Sequence, residues 1–486
     1  MSRVGYGLNK ATVLLVIGGL CLSACDDGSP ATTTTITEPV DDTTTSTTEP
    51  VNAVEIRWGI CLGGCSEDEI QGQVAIAERF NNAQSEVHVS TVVVESTQVL
   101  QEVAESGEGV DVVGPIDGET ANVIEGLCGS GEEAFFRLND LVAAKGVDLS
   151  TWPEALVEGY MRDGSLHALP FAANPSVLWY NKELFDAARL PYPPLGAGAL
   201  YGPKTKYEGE WDFQKLGEIA RLLTKDSHGD NSTERGFDRS EAVQWGFAWV
   251  GRDRLFDQGS HWGAGTVISE DGEIEIPQSW EDGWRWYQDA VWNQEFSPSR
   301  EELGSDLLSG NPFLSGKVGM VIGSATMVEE LAGRDSEMDL DWLDLGALPS
   351  NNGVTTSTVE TASFRIMSGT NSPEASFDFY LFLVNSDATP EIVDEYGMFP
   401  AIPGSMTSRF SSLGLAFPED LNWGAVSASL QKASVPSHLQ YVSNWNGYIE
   451  RMAELLEEIQ ENRRLGIQSA IARLESDLEG ILTTSD

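Results

Sequence analysis

The chain has 486 residues and a formal charge of −47, from 76 Asp and Glu against 29 Lys and Arg. Contact with nucleic acid or an anionic lipid surface depends on Lys and Arg neutralising phosphate, so this composition argues against both as ligands. It does not by itself require a cationic ligand, because acidic surfaces also serve solubility.

Arg3 and Lys10 precede a short apolar run from Ala11 to Leu22. A bilayer span needs about 20 apolar residues, so a basic start with a short apolar core reads as a secretory signal, residues 1–24. Its end, Leu22-Ser23-Ala24-Cys25, resembles a bacterial lipobox. That resemblance implies acylation of Cys25, which then becomes the mature N-terminus. Residues 25–52 are rich in Asp, Thr, Glu and Pro and cannot bury a core, so they read as a disordered tether. The residues that follow, 53–486, are too many for one ordinary core and suggest two domains. Of the five cysteines, Cys21 leaves with the signal and Cys25 takes the lipid. Cys61, Cys65 and Cys128 remain in an oxidising compartment. Cys61 and Cys65 can close a small loop; the alternative is a bridge from either one to Cys128, and one thiol is left over in each case. No paired Cys or His spacing suggests a metal site.

The folded part opens with an alternating run, Val54–Ile60, that predicts a strand. A Gly63-Gly64 turn follows, then a helix over Glu67–Asn81 with Ile70, Val74, Ala77 and Phe80 on one face. Strands are expected at Val87–Val94 and Val110–Gly114, with a short helix at Val99–Ala104 between them. Such alternation predicts a parallel sheet covered by helices, and ligands bind beyond the C-terminal ends of such strands. Ile60–Ser66 and Pro115–Glu119 are therefore candidate cleft segments. Further on, a strand at Ser176–Tyr180 leads into a helix at Lys182–Arg189, stopped by Pro191-Tyr192-Pro193-Pro194. A helix from Trp211 to Leu223, a strand at Ala242–Val250, a Trp-rich helix over 280–294, a strand at Gly316–Gly323 and a helix at Pro373–Val384 follow. The tail from Asn446 to Leu482 is helical.

Several segments carry a family likeness by their order and spacing. Leu169-Pro170 precedes Leu178-Trp-Tyr-Asn-Lys-Glu-Leu-Phe185; Trp211-Asp212 is followed by Leu222-Leu-Thr224. Gly316-Lys-Val-Gly-Met320 with Gly323-Ser324, Leu348-Pro349 with Glu360-Thr-Ala-Ser363, and Tyr396-Gly-Met-Phe-Pro-Ala401 come in turn. Together they resemble the bacterial extracellular solute-binding proteins that include the maltose and multiple-sugar receptors. The resemblance covers nearly everything from Val54 to Leu482. It implies an α/β, two-lobed, periplasmic-binding-protein-like fold of type II, its lobes joined by crossing hinge strands. One lobe would comprise 53–173 plus 360–400, the other 174–359 plus 401–486. It implies a receptor without cofactor or catalysis that captures a small solute, a mono- or oligosaccharide, by hinge closure. The partners it implies are the permeases and ATPase of an ABC importer, with the receptor a lipid-anchored monomer on the outer face of the cytoplasmic membrane. One departure is plain: the family's usual Gly-Gly near the second crossover is Thr361-Ala362 here.

A sugar presents hydroxyls at its rim and C–H groups on its faces, so its site needs polar side chains and flat rings. Trp262 in the Gly-rich segment Ser260–Gly265 and Trp249 at a strand end are candidate rings; Trp284 and Trp286 read as packing. Asp117 follows a strand, Asn174 sits at the predicted crossover, Ser324 and Thr326 end the Gly316 strand, and Thr361 and Tyr396 lie near the second crossover. Asp117 also reads as a turn residue, and Ser324 and Thr326 as helix caps. Two alternatives stay open. Polyamine binding would use Asp117 and Asp257 around Trp262, and a glycoside hydrolase would use two placed carboxylates. The five scattered His residues form no His-x-x-x-His pair, and neither a nucleophile elbow nor a phosphate-binding loop is present.

Substituting the lipobox cysteine, Cys25→Ser, is expected to abolish incorporation of an alkyne-tagged fatty acid and to release the protein from the membrane fraction. Continued labelling of the variant would refute the lipobox reading.

Overall fold

The computed structural model describes residues 53–100, 109–127, 133–250, 254–269, 273–328, 340–414, 417, 421–434 and 444–483. The signal, the tether with Cys25, Cys128 and most of the helix expected at Val99–Ala104 lie outside the described residues.

The chain begins with strand β1 (Val54–Ile60), helix α1 (Glu67–Ala83) and strand β2 (Val87–Val93). A capping box starts α1: the Glu69 N–H donates to Ser66 Oγ at 3.3 Å while the Ser66 N–H donates to Glu69 Oε2 at 2.7 Å. These reciprocal bonds satisfy donors that the first helical turn leaves orphaned. Strand β3 (Val112–Asp117) begins two residues later than the alternation suggests. Asp111 just before it still bonds both neighbours, its N–H donating to the Arg57 carbonyl and its carbonyl accepting from the Met367 N–H, each at 2.9 Å, while its Oδ2 accepts from the Arg57 N–H at 2.8 Å and its Oδ1 from the Thr370 hydroxyl at 2.5 Å. Helix α2 (Gly118–Leu127) follows β3 directly. Then come α3 (Asn139–Lys145), α4 (Glu154–Glu158) and the hairpin β4 (Met161–Arg162) and β5 (Ser165–Leu166).

Strand β6 (Ala172–Asn181) is buried along almost its whole length, and α5 (Lys182–Ala188) continues from it. A small hairpin, β7 (Leu200–Tyr201) and β8 (Gly209–Glu210), precedes α6 (Phe213–Leu223), whose N-cap Asp212 accepts from the Lys215 N–H at 2.7 Å. The elements β9 (Lys225–Asp226), β10 (Ala242–Val250), α7 (Leu255–Ser260), α8 (Gln278–Trp292), α9 (Arg300–Leu303), β11 (Val318–Ser324) and β12 (Leu343–Gly346) follow. Strand β13 (Ser357–Ile366) leads to α10 (Pro373–Val384), α11 (Thr389–Glu395), α12 (Met406–Leu413), α13 (Gly424–Leu430) and β14 (Ala433–Ser434). The tail is two helices, α14 (Trp445–Glu461) and α15 (Ile467–Thr483).

The main sheet has the order β2-β1-β3-β13-β6-β11-β10-β9, with β12 on β6 and β14 on β13. Strand β1 is parallel to β2 and β3, and β10 is parallel to β11, as the helix-connected pattern predicts. The central pairs are antiparallel: β13 runs against β3 and β6, and β6 runs against β11 and β12. Each central strand gives one end to each half of the sheet. Ala172–Pro175 of β6 pair with Val359–Ala362 of β13, and Ser176–Tyr180 then pair with β11. Ala362–Ile366 of β13 go on to pair with β3.

One core runs from Trp58, Phe80 and Phe379 beside β1 to Trp179, Trp245 and Val321 on one face of the far half. A second core fills the other face of β10 and β11, where Phe247, Met320 and Ile322 meet Leu216, Trp280, Trp284 and Leu474. The Trp-rich stretch thus proves to be a packing helix, with Trp280 and Trp284 fully buried. At the contact of β10 with α6, Gly246 lies so close that a Cβ would come 1.9 Å from the Ala220 carbonyl oxygen. Backbone cannot yield there as a side-chain tip can. Gly246→Ala is therefore expected to lower the unfolding free energy by about 3 kcal/mol, read as a lower urea midpoint with unchanged slope.

Candidate functional site

The C-terminal ends of β10 and β11 meet the two crossing strands, and polar side chains converge there. Asn174 of β6 and Glu360 of β13 are register partners, so their side chains leave the sheet side by side. Asn174 Nδ2 donates to Glu360 Oε2 at 3.4 Å. On its other side Asn174 Oδ1 accepts from Ser324 Oγ at 2.7 Å and from the Thr326 N–H at 3.2 Å. The Ser324 and Thr326 hydroxyls lie 2.6 Å apart. Because Ser324 gives its proton to Asn174, the Thr326 hydroxyl is the donor of that pair. A cavity of about 320 Å³ opens over this row, lined by Asn174, Ser324, Thr326 and Glu360 with Val250, Asn311 and Met327.

Arg254, just before α7, extends the row. Its Nε donates to Asp257 Oδ2 at 2.9 Å and its Nη2 to Glu360 Oε1, while Nη1 lies 3.9 Å from Glu119 Oε2. Burial works against the guanidinium charge, but Asp257, Glu360 and Glu119 outweigh it and hold the pKa above the usual arginine value. Asp257 is 1 % exposed. The site is thus a continuous chain of hydrogen bonds and ion pairs from α2, through Arg254, to both crossing strands and the end of β11. A second, larger cavity of about 760 Å³ lies between α4 with the β4–β5 hairpin and the segment Ala264–Thr266, beside β14.

Of the residues singled out from sequence, Asn174, Ser324 and Thr326 come together around the smaller cavity. Asp117 ends β3 and its Oδ1 accepts from the Thr120 N–H at 2.8 Å, the turn role that sequence allowed. Trp249 is buried, edge-on to Phe247 and 5.3 Å from the His261 ring. Trp262 follows α7, not a strand, and stacks on Phe213 at 4.5 Å, directly over Gly283. Both rings serve packing in this conformation. Thr361 points to the face opposite Glu360, near the buried Tyr160 hydroxyl. Tyr396 sits edge-on to Phe171 and Phe364, and burial raises its phenol pKa. Cys61 and Cys65 are disulfide-bonded across 5.4 Å between Cα atoms, closing the loop after β1.

Sequence reasoning did not single out Arg254 or Glu360, and it reached Glu119 only as the last residue of the candidate cleft segment Pro115–Glu119. Two signals pointed to them: Glu360 stands beside Thr361 at the predicted crossover, and a cation just past a strand end is conspicuous in so acidic a chain. Among the described residues no group of three His, Cys, Asp or Glu side chains is placed to hold a metal ion.

Asn174→Ala removes the acceptor of both Ser324 Oγ and the Thr326 N–H. It is expected to cost about 1–3 kcal/mol of stability, measured by urea denaturation, with an unchanged far-ultraviolet circular dichroism spectrum.

The profile of the family described as bacterial extracellular solute-binding protein matches residues 75–413. No curated protein sequence matches the chain. Among solved structures, a sugar transporter protein from Rhizobium etli in an open conformation superposes with a TM-score of 0.67 at 17% identity, covering 88% of this chain and 100% of that one. The sugar-binding protein MalE of Xanthomonas citri gives a TM-score of 0.66 at 14% identity, over 88% of this chain and 98% of its own. An ABC substrate-binding protein from Listeria monocytogenes in complex with cycloalternan gives 0.60 at 17% identity, over 88% and 99%. At these identities the likeness is one of fold, and the fold is the two-lobed one expected from sequence. No helix among the described residues is long and apolar enough to cross a membrane. With the crossing strands, the crevice beside them and the profile match over most of its length, the chain belongs to the bacterial extracellular solute-binding protein family.

Proposed function

We propose that the protein captures a neutral, hydroxyl-rich solute, a mono- or oligosaccharide, in the crevice beside β6 and β13 and passes it unchanged to the permeases of an ABC importer. The observation that carries this reading is the row Glu360, Asn174, Ser324 and Thr326 along the cavity. It alternates acceptors and donors within a few ångströms, as the vicinal hydroxyls of a sugar do, since each hydroxyl both gives and accepts a hydrogen bond. The listerial protein of the same fold holds cycloalternan, which supports the same class of ligand here. Arg254 weighs against the polyamine alternative: it already pairs with Asp257, one of the two carboxylates that alternative uses, and with Glu360 beside it.

In this reading β6 and β13 form the hinge, and the lobes are 53–173 plus 360–400 and 174–359 plus 401–486. Asp117, Trp249, Trp262, Thr361 and Tyr396 are candidate contacts that require the lobes to open and reclose around a ligand. Acylated Cys25 and the tether at 25–52 hold the monomer at the outer face of the membrane. The receptor carries out no chemistry on its ligand.

A thermal-shift screen against malto-oligosaccharides, spermidine and metal salts tests the reading. A sugar at about 100 times its Kd stabilises the folded state by about 2.7 kcal/mol and visibly raises Tm. Ser324→Ala is expected to weaken that sugar's affinity about tenfold, the equivalent of one net hydrogen bond, by isothermal titration calorimetry. Stabilisation by spermidine alone would overturn the sugar reading, and so would mass-spectrometric detection of a cleaved sugar after incubation.

A further inference from the structure

Arg254 and its three carboxylates come from different parts of the fold. Asp257 lies one turn along on α7, within the same half as Arg254. Glu360 lies on β13, which both halves share. Glu119 lies in the first turn of α2, which follows β3 and packs on the opposite half through Ala121 and Ile124. Glu360 stands on β13 at the lobe boundary itself, so of the three ion pairs the one to Glu119 is the one that carries Arg254 beyond the hinge strands into the opposite half. It is also the weakest in geometry: 3.9 Å, with the Glu119 side chain 53% exposed.

The signs of the charges matter more than that distance. Without Arg254, bringing α2 toward α7 would set the Glu119 carboxylate against Asp257 and Glu360, three negative charges together. With Arg254 among them, the same approach places Glu119 beside a cation. The guanidinium therefore decides whether Glu119 resists or favours the approach of the two halves.

We propose that Arg254 and Glu119 form an electrostatic tie across the crevice, which biases the ligand-free protein toward the closed arrangement and reverses to a repulsion when Arg254 is lost. The proposal rests on the reading of β6 and β13 as a hinge. It does not depend on which solute is bound. A half-exposed pair of this kind is modest and screened by salt, so its effect on the ratio of closed to open molecules is about two- to fivefold at low ionic strength.

The test uses the full chain without ligand, with nitroxides introduced through non-natural amino acids at the exposed residues Ser85 and Arg235, one on each half. Distances between them are measured by pulsed dipolar spectroscopy. Glu119→Gln is expected to reduce the closed-to-open ratio about two- to fivefold, and Glu119→Lys to reduce it further. Raising salt is expected to move the wild-type protein toward the Glu119→Gln distribution and to leave that variant unchanged. In an Arg254→Gln background the sign reverses, and adding Glu119→Gln raises the closed fraction. Should Arg254→Gln fail to fold, the order wild type, Glu119→Gln, Glu119→Lys carries the test alone. Glu218→Gln, which removes the partner of Lys215 on α6, outside the lining of the cavity, is the control. Distance distributions that ignore Glu119 and salt, or that shift equally with Glu218→Gln, would overturn the tie. Failure of sugar to bind would leave these distances untouched, so the two readings fail separately.

Discussion

Strands β6 and β13 are the constraint on which the rest of the molecule depends, because each must pair with three different strands along its ten residues. Where the ladder changes partner, backbone carbonyls lose their regular donors, and a buried carbonyl without one is costly. Small hydroxyls fill these gaps. Ser176 Oγ donates to the Thr358 carbonyl at 2.9 Å, Ser357 Oγ to the Ser176 carbonyl at 3.2 Å, and Thr358 Oγ1 to the Asp257 carbonyl at 2.9 Å. The last of these ties α7 to the crossing itself. These three hydroxyls are buried and satisfy the backbone at the joint, while the neighbouring Asn174, Glu360, Ser324 and Thr326 face the crevice.

The polar row is a consequence of that arrangement. Asn174 and Glu360 are cross-strand neighbours, so whatever rests on one is felt by the other. Ser324 ends β11 opposite Ser176, only two residues from Asn174 on the same strand. Three elements thus bring short polar side chains to one point without any loop having to fold over them. A site built from strand ends keeps its geometry better than one carried on loops. On the proposed reading it also places the ligand groups at the hinge, so that contacts made there bear on both halves.

Much of this was legible in the order of segments. The strand at Ala242–Val250 and the helix at Pro373–Val384 have the predicted bounds, since their apolar patterns are long and their flanks carry Pro or polar caps. Ser324 at a strand end follows from the strand pattern, and Asn174 at the crossover from the family resemblance. The aromatic candidates show the limit of such reading. A tryptophan in a Gly-rich loop looks the same whether glycine clears space for a ligand or for the ring itself. Here Gly283 clears space for the Trp262 ring, from a helix 21 residues further along the chain. The charged cluster was illegible for a different reason. With 76 acidic residues, the i,i+3 spacing of Arg254 and Asp257 does not stand out, and the pairing of Glu119 and Glu360 with the same arginine joins elements distant in sequence that no local pattern encodes.

The acidity of the chain gives that single arginine its weight. Closing two halves that both carry excess negative charge works against Coulomb repulsion, moderated by salt. A receptor of this composition needs local compensation where its surfaces approach, and a guanidinium offers it with five donors in a fixed planar fork. Lysine, with a flexible stem and one point of charge, would not bridge Asp257 and Glu360 while leaving Nη1 directed at Glu119. Arg254 thus joins two requirements at one place. It pairs with the buried Asp257 and, on the proposed reading, supplies positive charge between halves that would otherwise repel. Surface acidity and cleft chemistry are in this sense not independent properties of the protein: the first sets the sign of the problem that the second has to solve.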